Sequence, residues 1–185
     1  MKQKMTAMDV RALVVNLRKK LVGLRVANIY DVNGKQYLLK MSKGGTKENL
    51  LIESGIRIHT TEFIKNEKTV PSGFSMKLRK HLRTKKLSSI RQLGMDRVID
   101  IQFGRDEFAN HILVELYAQG NIILTDENYV ILSLLRSYTL DGTPAPEKTE
   151  DGEAGPARCA IKERYPFSAA ANLTEDNIVT ELEDV

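Results

Sequence analysis

HILVELYAQGNIILTDENYVILSLL, residues 111–135, decides how the fold is read. Three short apolar runs, His111–Tyr117, Asn121–Thr125 and Tyr129–Leu135, are set apart by turns that Gly120 and Asp126-Glu127-Asn128 supply. Runs this short, with turn residues between them, read as strands of an antiparallel meander. The same grammar extends upstream through Leu87–Leu93 and Val98–Phe103. In the second of these, Ile99, Ile101 and Phe103 alternate with Asp100 and Gln102, the period of two that marks a strand. Nearer the N-terminus, Arg25–Val32 leads into Asn33-Gly34, a strong hairpin signal, and Gln36–Met41 returns. A loop at Gly44-Gly45 precedes Asn49–Glu53, and Ile56–Phe63 sets Ile56 and Ile58 against Arg57 and His59.

Two helices accompany the strands. Thr6-Ala7-Met8-Asp9 has the form of a capping box, with Thr6 as N-cap and Asp9 in place of the usual glutamate. Val10, Leu13, Val14, Leu17 and Leu21 follow at helical spacing, and Gly23 ends the element. Pro71-Ser72 opens a second helix through about Lys86, with Phe74, Leu78 and Leu82 as its apolar stripe. The expected fold is α+β, an antiparallel β-sandwich or split barrel with flanking helices, as one domain over residues 1–185. Residues 140–157 combine proline, glycine and acids with little to bury, and read as a mobile loop. A last helix is expected from Leu173, capped by Thr174 and cut short at residue 185.

At 42% hydrophobic and 28% charged, the chain has the composition of a soluble globular protein. No apolar run approaches the roughly 18 residues of a membrane span, and the first ten residues lack the apolar segment of a signal peptide. One cysteine, Cys159, excludes an internal disulfide framework and favours a reducing compartment. His59, His81 and His111 are scattered and give no metal-ligand spacing. The net charge of +4 hides an asymmetry. Residues 1–100 hold 22 Lys+Arg against 8 Asp+Glu, or +14; residues 101–185 hold 6 against 16, or −10. Such a cationic half suits a polyanion, most often nucleic acid; it equally suits a lysine-rich surface balanced by its own acidic half.

MKLRKHLRTKKL, residues 76–87, concentrates that charge: Lys77, Arg79, Lys80, Arg83, Lys85 and Lys86, with no acid. Leu78 and Leu82 anchor one face, so most of the cations must project away from the core. A bound phosphate backbone would relieve their mutual repulsion, which favours nucleic-acid contact over a merely solvated face. The aromatic residues lie mostly within strand patterns and form no dense stacking platform, so any nucleic acid would be read by backbone and shape. No nucleophile elbow and no phosphate-cradling glycine loop is present. Asp9 has a structural role as a cap, and Asp96-Arg97 stands as either strand-edge punctuation or a contact.

Several strings together resemble the N-terminal domain of the NFACT family. They are Asp9-Val10-Arg11, Asn28–Asp31, Glu53-Ser-Gly-Ile-Arg-Ile-His-Thr-Thr-Glu-Phe63, Met76–Leu82, Leu93-Gly-Met-Asp-Arg97, Glu115–Asp126 and Lys162–Pro166. The likeness is greatest to the eukaryotic, nuclear export mediator factor (NEMF) type, and it covers nearly the whole chain. It implies a ribosome-associated quality control factor. Such proteins bind large ribosomal subunits that carry stalled peptidyl-tRNA and help recruit the Listerin ubiquitin ligase. They also recruit charged tRNA, mainly alanyl and in some members threonyl, for C-terminal tailing without mRNA. By motif, the residues implied for tRNA binding and tailing are Asp9, Asp96 and Arg97.

The resemblance further implies a cytoplasmic protein with no catalytic activity of its own, no cofactor and no metal. Its implied partners are tRNA, the rRNA of the large subunit and, through the full-length protein, Listerin. It implies no membrane contact. The implied fold is similar to the N-terminal domain of formamidopyrimidine-DNA glycosylases. Those enzymes use an N-terminal proline amine beside a glutamate, whereas here Met1 is followed by Lys2-Gln3. A divergent glycosylase and a protein-interaction scaffold are the two other readings.

Overall fold

The computed structural model describes residues 4–62, 70–139 and 158–167. Its first element is helix α1 (Ala7–Leu21), which starts where the capping box places it. The Thr6 hydroxyl accepts from Asp9 N at 3.2 Å, and Asp9 Oδ2 accepts from Thr6 N at 2.7 Å. Four strands follow: β1 (Arg25–Asp31), β2 (Gln36–Lys43), β3 (Thr46–Glu53) and β4 (Arg57–Thr60). They form one sheet in chain order, every pair antiparallel. After helix α2 (Gly73–Leu82), a second meander holds β5 (Leu87–Gln92), β6 (Val98–Phe103), β7 (Asn110–Glu115), β8 (Asn121–Thr125) and β9 (Ile131–Leu134). A short pair, β10 (Tyr138–Thr139) and β11 (Arg158–Cys159), completes the described elements. The expected α+β class with antiparallel sheets is therefore observed.

Two local expectations are corrected. The tight two-residue hairpin is at Gly44-Gly45, both left-handed at φ +55° and +93°, so Thr46–Glu48 belong to a strand, not a loop. The hairpin expected at Asn33-Gly34 is present between β1 and β2, and its loop is held by Asn33 Oδ1, which accepts from Lys35 N and Gln36 N at 2.8 and 2.9 Å. This is an Asx turn, which needs no left-handed glycine. Helix α2 ends at Leu82 and not near Lys86, because Thr84 turns the chain at φ +69°. The expected loop at 140–157 and helix from 173 lie outside the described residues.

The core has two layers, divided by the second sheet. Val10, Val14, Leu17 and Leu21 of α1, and Leu78 and Leu82 of α2, pack between the sheets with Ile29, Leu39 and Ile52 on one side. Ile99, Ile101, Phe103, Ile112, Val114, Ile122 and Leu124 face them from the other. The alternate residues Val98, Leu113 and Ile123 point the opposite way and are covered by Tyr138, Cys159 and Tyr165. All six residues of β7 are therefore buried. The sheets meet at one corner, where Thr84 N donates to Val26 O and Val26 N to Lys85 O.

Candidate nucleic-acid interface

Asp9 and the Asp96-Arg97 pair are separated by nearly ninety residues, and the packing of α1 on β5 brings their segments together. Gln92, the last residue of β5, is the link. Its side-chain amide donates to the Ala7 carbonyl in the first turn of α1 at 3.0 Å and to the Asp96 carbonyl at 2.8 Å. Arg11, one turn along α1, adds a contact of its Nη1 with the Met95 sulfur at 3.9 Å. The turn between β5 and β6 is itself closed by Leu93 N donating to Val98 O and Asp96 N to Leu93 O, around Gly94 at φ +54°.

Within this turn Asp96 Oδ1 accepts from Arg97 N at 2.6 Å, and Arg97 O accepts from Leu116 N at 2.8 Å. The backbone of Arg97 is thus fixed on both sides. Its half-buried guanidinium makes no hydrogen bond or ion pair among the described residues. Met8 and Met95, 64% and 59% exposed, flank Asp9 and Asp96 and give this surface an apolar rim. Two acids, two arginines and two methionines at one helix start can accept bonds from base or ribose groups, grip phosphate and pack against a base face.

The six cations of residues 77–86 do not act as one stripe. Arg79 Nε donates to Ile29 O at 2.7 Å, with its guanidinium over the Tyr30 ring, so it fastens α2 to β1. Lys85 Nζ donates to Phe108 O at 2.6 Å and Asn110 Oδ1 at 2.5 Å. Burial pulls the Lys85 ammonium below its ordinary pKa. Lys77, Lys80 and Arg83 are exposed and Lys86 half-buried. Burial and then the neighbouring charges of Lys80, Lys85 and Lys77 lower the His81 pKa, a sign of local positive potential. No hydrogen bond or ion pair among the described residues joins α2 to the Asp9 and Asp96 segments.

Sequence reasoning missed the polar interior of the outer layer. Asp100, which alternation sets opposite the apolar face, is only 1% exposed. It accepts from Arg91 Nε at 2.9 Å and Tyr129 OH at 2.8 Å and pairs with His111 Nδ1 at 2.8 Å. Burial would raise this carboxyl, but the His111 bond and the charges of His111 and Arg91 hold it below the ordinary range. Glu115 receives the Tyr138 and Tyr165 hydroxyls at 2.5 and 2.9 Å, and burial raises its pKa in spite of them. Burial pushes the Cys159 thiol beside it up to about 12, so it is no reactive nucleophile. A lone acid in the apolar run of residues 111–117 was the one available signal for this cluster. Among the described residues no group of three His, Cys, Asp or Glu could hold a metal. No described helix is long and apolar enough to cross a membrane.

Residues 6–143 match the family model for NFACT N-terminal and middle domains. The human ribosome quality control complex subunit NEMF is 47% identical over 170 residues, 92% of this chain and 15% of that protein. The Drosophila melanogaster homolog is 44% identical over 178 residues, covering 95% and 16%. Ribosome quality control complex subunit 2 of Saccharomyces cerevisiae is 41% identical over 138 residues, 74% of this chain and 13% of that protein. The chain thus spans about a seventh of the length of these relatives. Among solved structures, the N-terminal part of the Streptococcus suis fibronectin/fibrinogen-binding protein superposes at a TM-score of 0.67. It has 22% identity, with coverage of 80% of this chain and 62% of that one, and so it bears on fold alone. The family match and the relatives agree over most of the chain, which belongs to the NFACT family as an N-terminal domain of the NEMF type.

Proposed function

We propose that the chain is a non-catalytic, tRNA- and ribosome-binding domain of a cytoplasmic ribosome quality control factor. The observation that carries this is the joining of the α1 start to the 93–97 turn through Gln92. It ties the helix start that carries Asp9 to the turn that carries Asp96 and Arg97, the residues that the family resemblance implies for tailing. Arg97 grips phosphate or a base edge with its uncommitted guanidinium, and Asp96 and Asp9 accept bonds from a base or a 2′-OH. Lys77, Lys80, Arg83 and Lys86 add unselective attraction to RNA backbone, while Arg79 and Lys85 hold that segment in place. The peptide bond itself is made by the ribosome. In the full-length protein the domain works on large subunits with stalled peptidyl-tRNA, alongside recruitment of alanyl- or threonyl-tRNA and of a Listerin-type ligase. The scaffold is similar to that of the N-terminal domain of formamidopyrimidine-DNA glycosylases, used without their chemistry.

The test is tail synthesis by the full-length protein carrying Asp96→Ala and Arg97→Ala. Loss of tails at normal protein level is the expected outcome. Normal tailing would remove the site assignment. A borohydride-trapped adduct with oxidised-base DNA would replace the whole reading with that of a glycosylase.

A further inference from the structure

The two sheets leave a cavity of about 920 Å³ between their turns. This lies within the range of small-molecule and cofactor sites. One wall is the β1–β2 loop and the β3–β4 turn, and the other is the β7–β8 turn with Leu135 and Arg136. The walls touch at the bottom, backbone to backbone. Gly55 N donates to Glu115 O at 3.2 Å, and a Cβ on Gly120 would lie 2.0 Å from Gly55 N. Both glycines are left-handed, at φ +74° and +73°, and Ala118 beside them sits at φ +50°. Side chains are therefore excluded from the point of contact, which leaves room above it.

Four cations line the space, Lys4, Lys35, Arg57 and Arg136, against the single acid Glu53. Glu53 is already paired with Arg57 Nε at 2.7 Å. Arg136 is the one of the four with a buried donor atom left without an acceptor among the described residues. Its guanidinium lies over the Tyr138 ring at 5.2 Å and has one long hydrogen bond, 3.5 Å to Gly120 O. Its Nε is buried with no acceptor among the described residues. Apolar surface comes from Met5, Ile56 and Leu135. The chain itself ties the cavity lining to the neighbouring segments. Lys4 and Met5 run directly into the capping Thr6, and Leu116, whose N–H bonds Arg97 O, stands two residues before Ala118.

We propose that this cavity is a nucleotide subsite. It receives one unstacked nucleotide of the same RNA that lies on Asp96 and Arg97. The phosphate meets Lys35, Arg57 and Arg136, and the base packs on Met5, Ile56 and Leu135. The pairing of net positive charge with an apolar wall suits a nucleotide, since unstacked bases are commonly held on side-chain faces beside an arginine. An acidic peptide would use the charge and leave the apolar wall without a role. The inference rests on the domain being an RNA binder.

Crosslinking separates the two claims. The full-length protein is irradiated with tRNA transcripts carrying 4-thiouridine, and crosslinked peptides are mapped by mass spectrometry. Crosslinks to the segments 54–57 or 118–120, together with 93–97, are the expected result. Crosslinks confined to 93–97 would overturn the cavity and leave the RNA-binding reading intact; none in either place would overturn both. In a second arm, Lys35→Gln/Arg57→Gln is compared with wild type at two salt concentrations. It should lose 3-fold or more in tRNA affinity, flatten the salt dependence and lose the cavity crosslink while keeping the one at 93–97. Unchanged affinity in a variant with an unchanged melting temperature would refute the subsite. So would displacement of nothing but a polyglutamate probe from it.

Discussion

Replacing Gln92 by methionine tests whether the Asp9 and Asp96 segments are held together as described. Methionine keeps the length of the side chain and removes both amide donors. The site is 8% exposed, so water has little access to the two carbonyls left behind. The Ala7 carbonyl retains its own bond within the helix ladder and gives up only a second acceptance, worth about 0.5–1 kcal/mol. The Asp96 carbonyl, in a turn, loses more, about 1–1.5 kcal/mol. The expected cost is therefore about 2 kcal/mol, or about 4–8 °C in melting temperature for a chain of this size. Urea denaturation of the domain measures the first figure. Amide exchange locates it: protection should fall in the first turn of α1 and in residues 93–97, and stay unchanged in β7. In the full-length protein the variant should also reduce tail synthesis, because the 93–97 turn is no longer tied to the start of α1. A cost below about 0.5 kcal/mol with unaltered exchange would refute the reasoning.

Gly120→Ala should prevent folding or cost well over 3 kcal/mol, because its Cβ would lie 2.0 Å from the Gly55 nitrogen; a soluble variant with native circular dichroism would contradict this. Glu115 has a raised pKa in the folded chain, so its contribution to stability is complete below the ordinary glutamate range and is lost as pH rises through the folded value. Glu115→Gln should flatten that decline in melting temperature on the alkaline side. Asp100 is depressed, so its contribution is present above the ordinary aspartate range and lost as pH falls through the folded value. Asp100→Asn should therefore destabilise most at neutral pH and least in acid. Lys80→Gln/Arg83→Gln should weaken RNA binding and reduce the log–log salt slope by about 1.5, while Arg79→Gln should lower the melting temperature instead; filter binding and thermal melts distinguish them.

The strands and helix starts were legible because each depends on local pattern. Thr6 and Ser72 cap the helices that local pattern assigns to them, and Asn121–Thr125 and Val98–Phe103 have the limits that alternation and turn residues assign. What failed was non-local. Arg79 reads as one more exposed cation until β1 is known to lie beneath it, and Thr84 has nothing in its type to announce a left-handed turn. Asp100 reads as solvent-facing because one-dimensional alternation cannot show that residues 158–167 return to cover the second face of its sheet. The candidate site was partly visible. Family motifs name Asp9, Asp96 and Arg97, but Gln92, a polar residue at a strand end, carries no local sign that it joins them.

The covering of that second face bears on where this domain can be cut. The family match stops at residue 143, and a fragment designed to that limit would keep every strand of both large sheets. It would still discard Cys159 and Tyr165, which close the layer over Leu113 and Ile123, and the hydroxyl that Tyr165 donates to Glu115. Such a fragment would display a flat apolar sheet face with an acid under-bonded within it, the kind of surface that drives self-association. The limit of the family model and the limit of the folding unit fall in different places, and expression boundaries belong beyond Phe167.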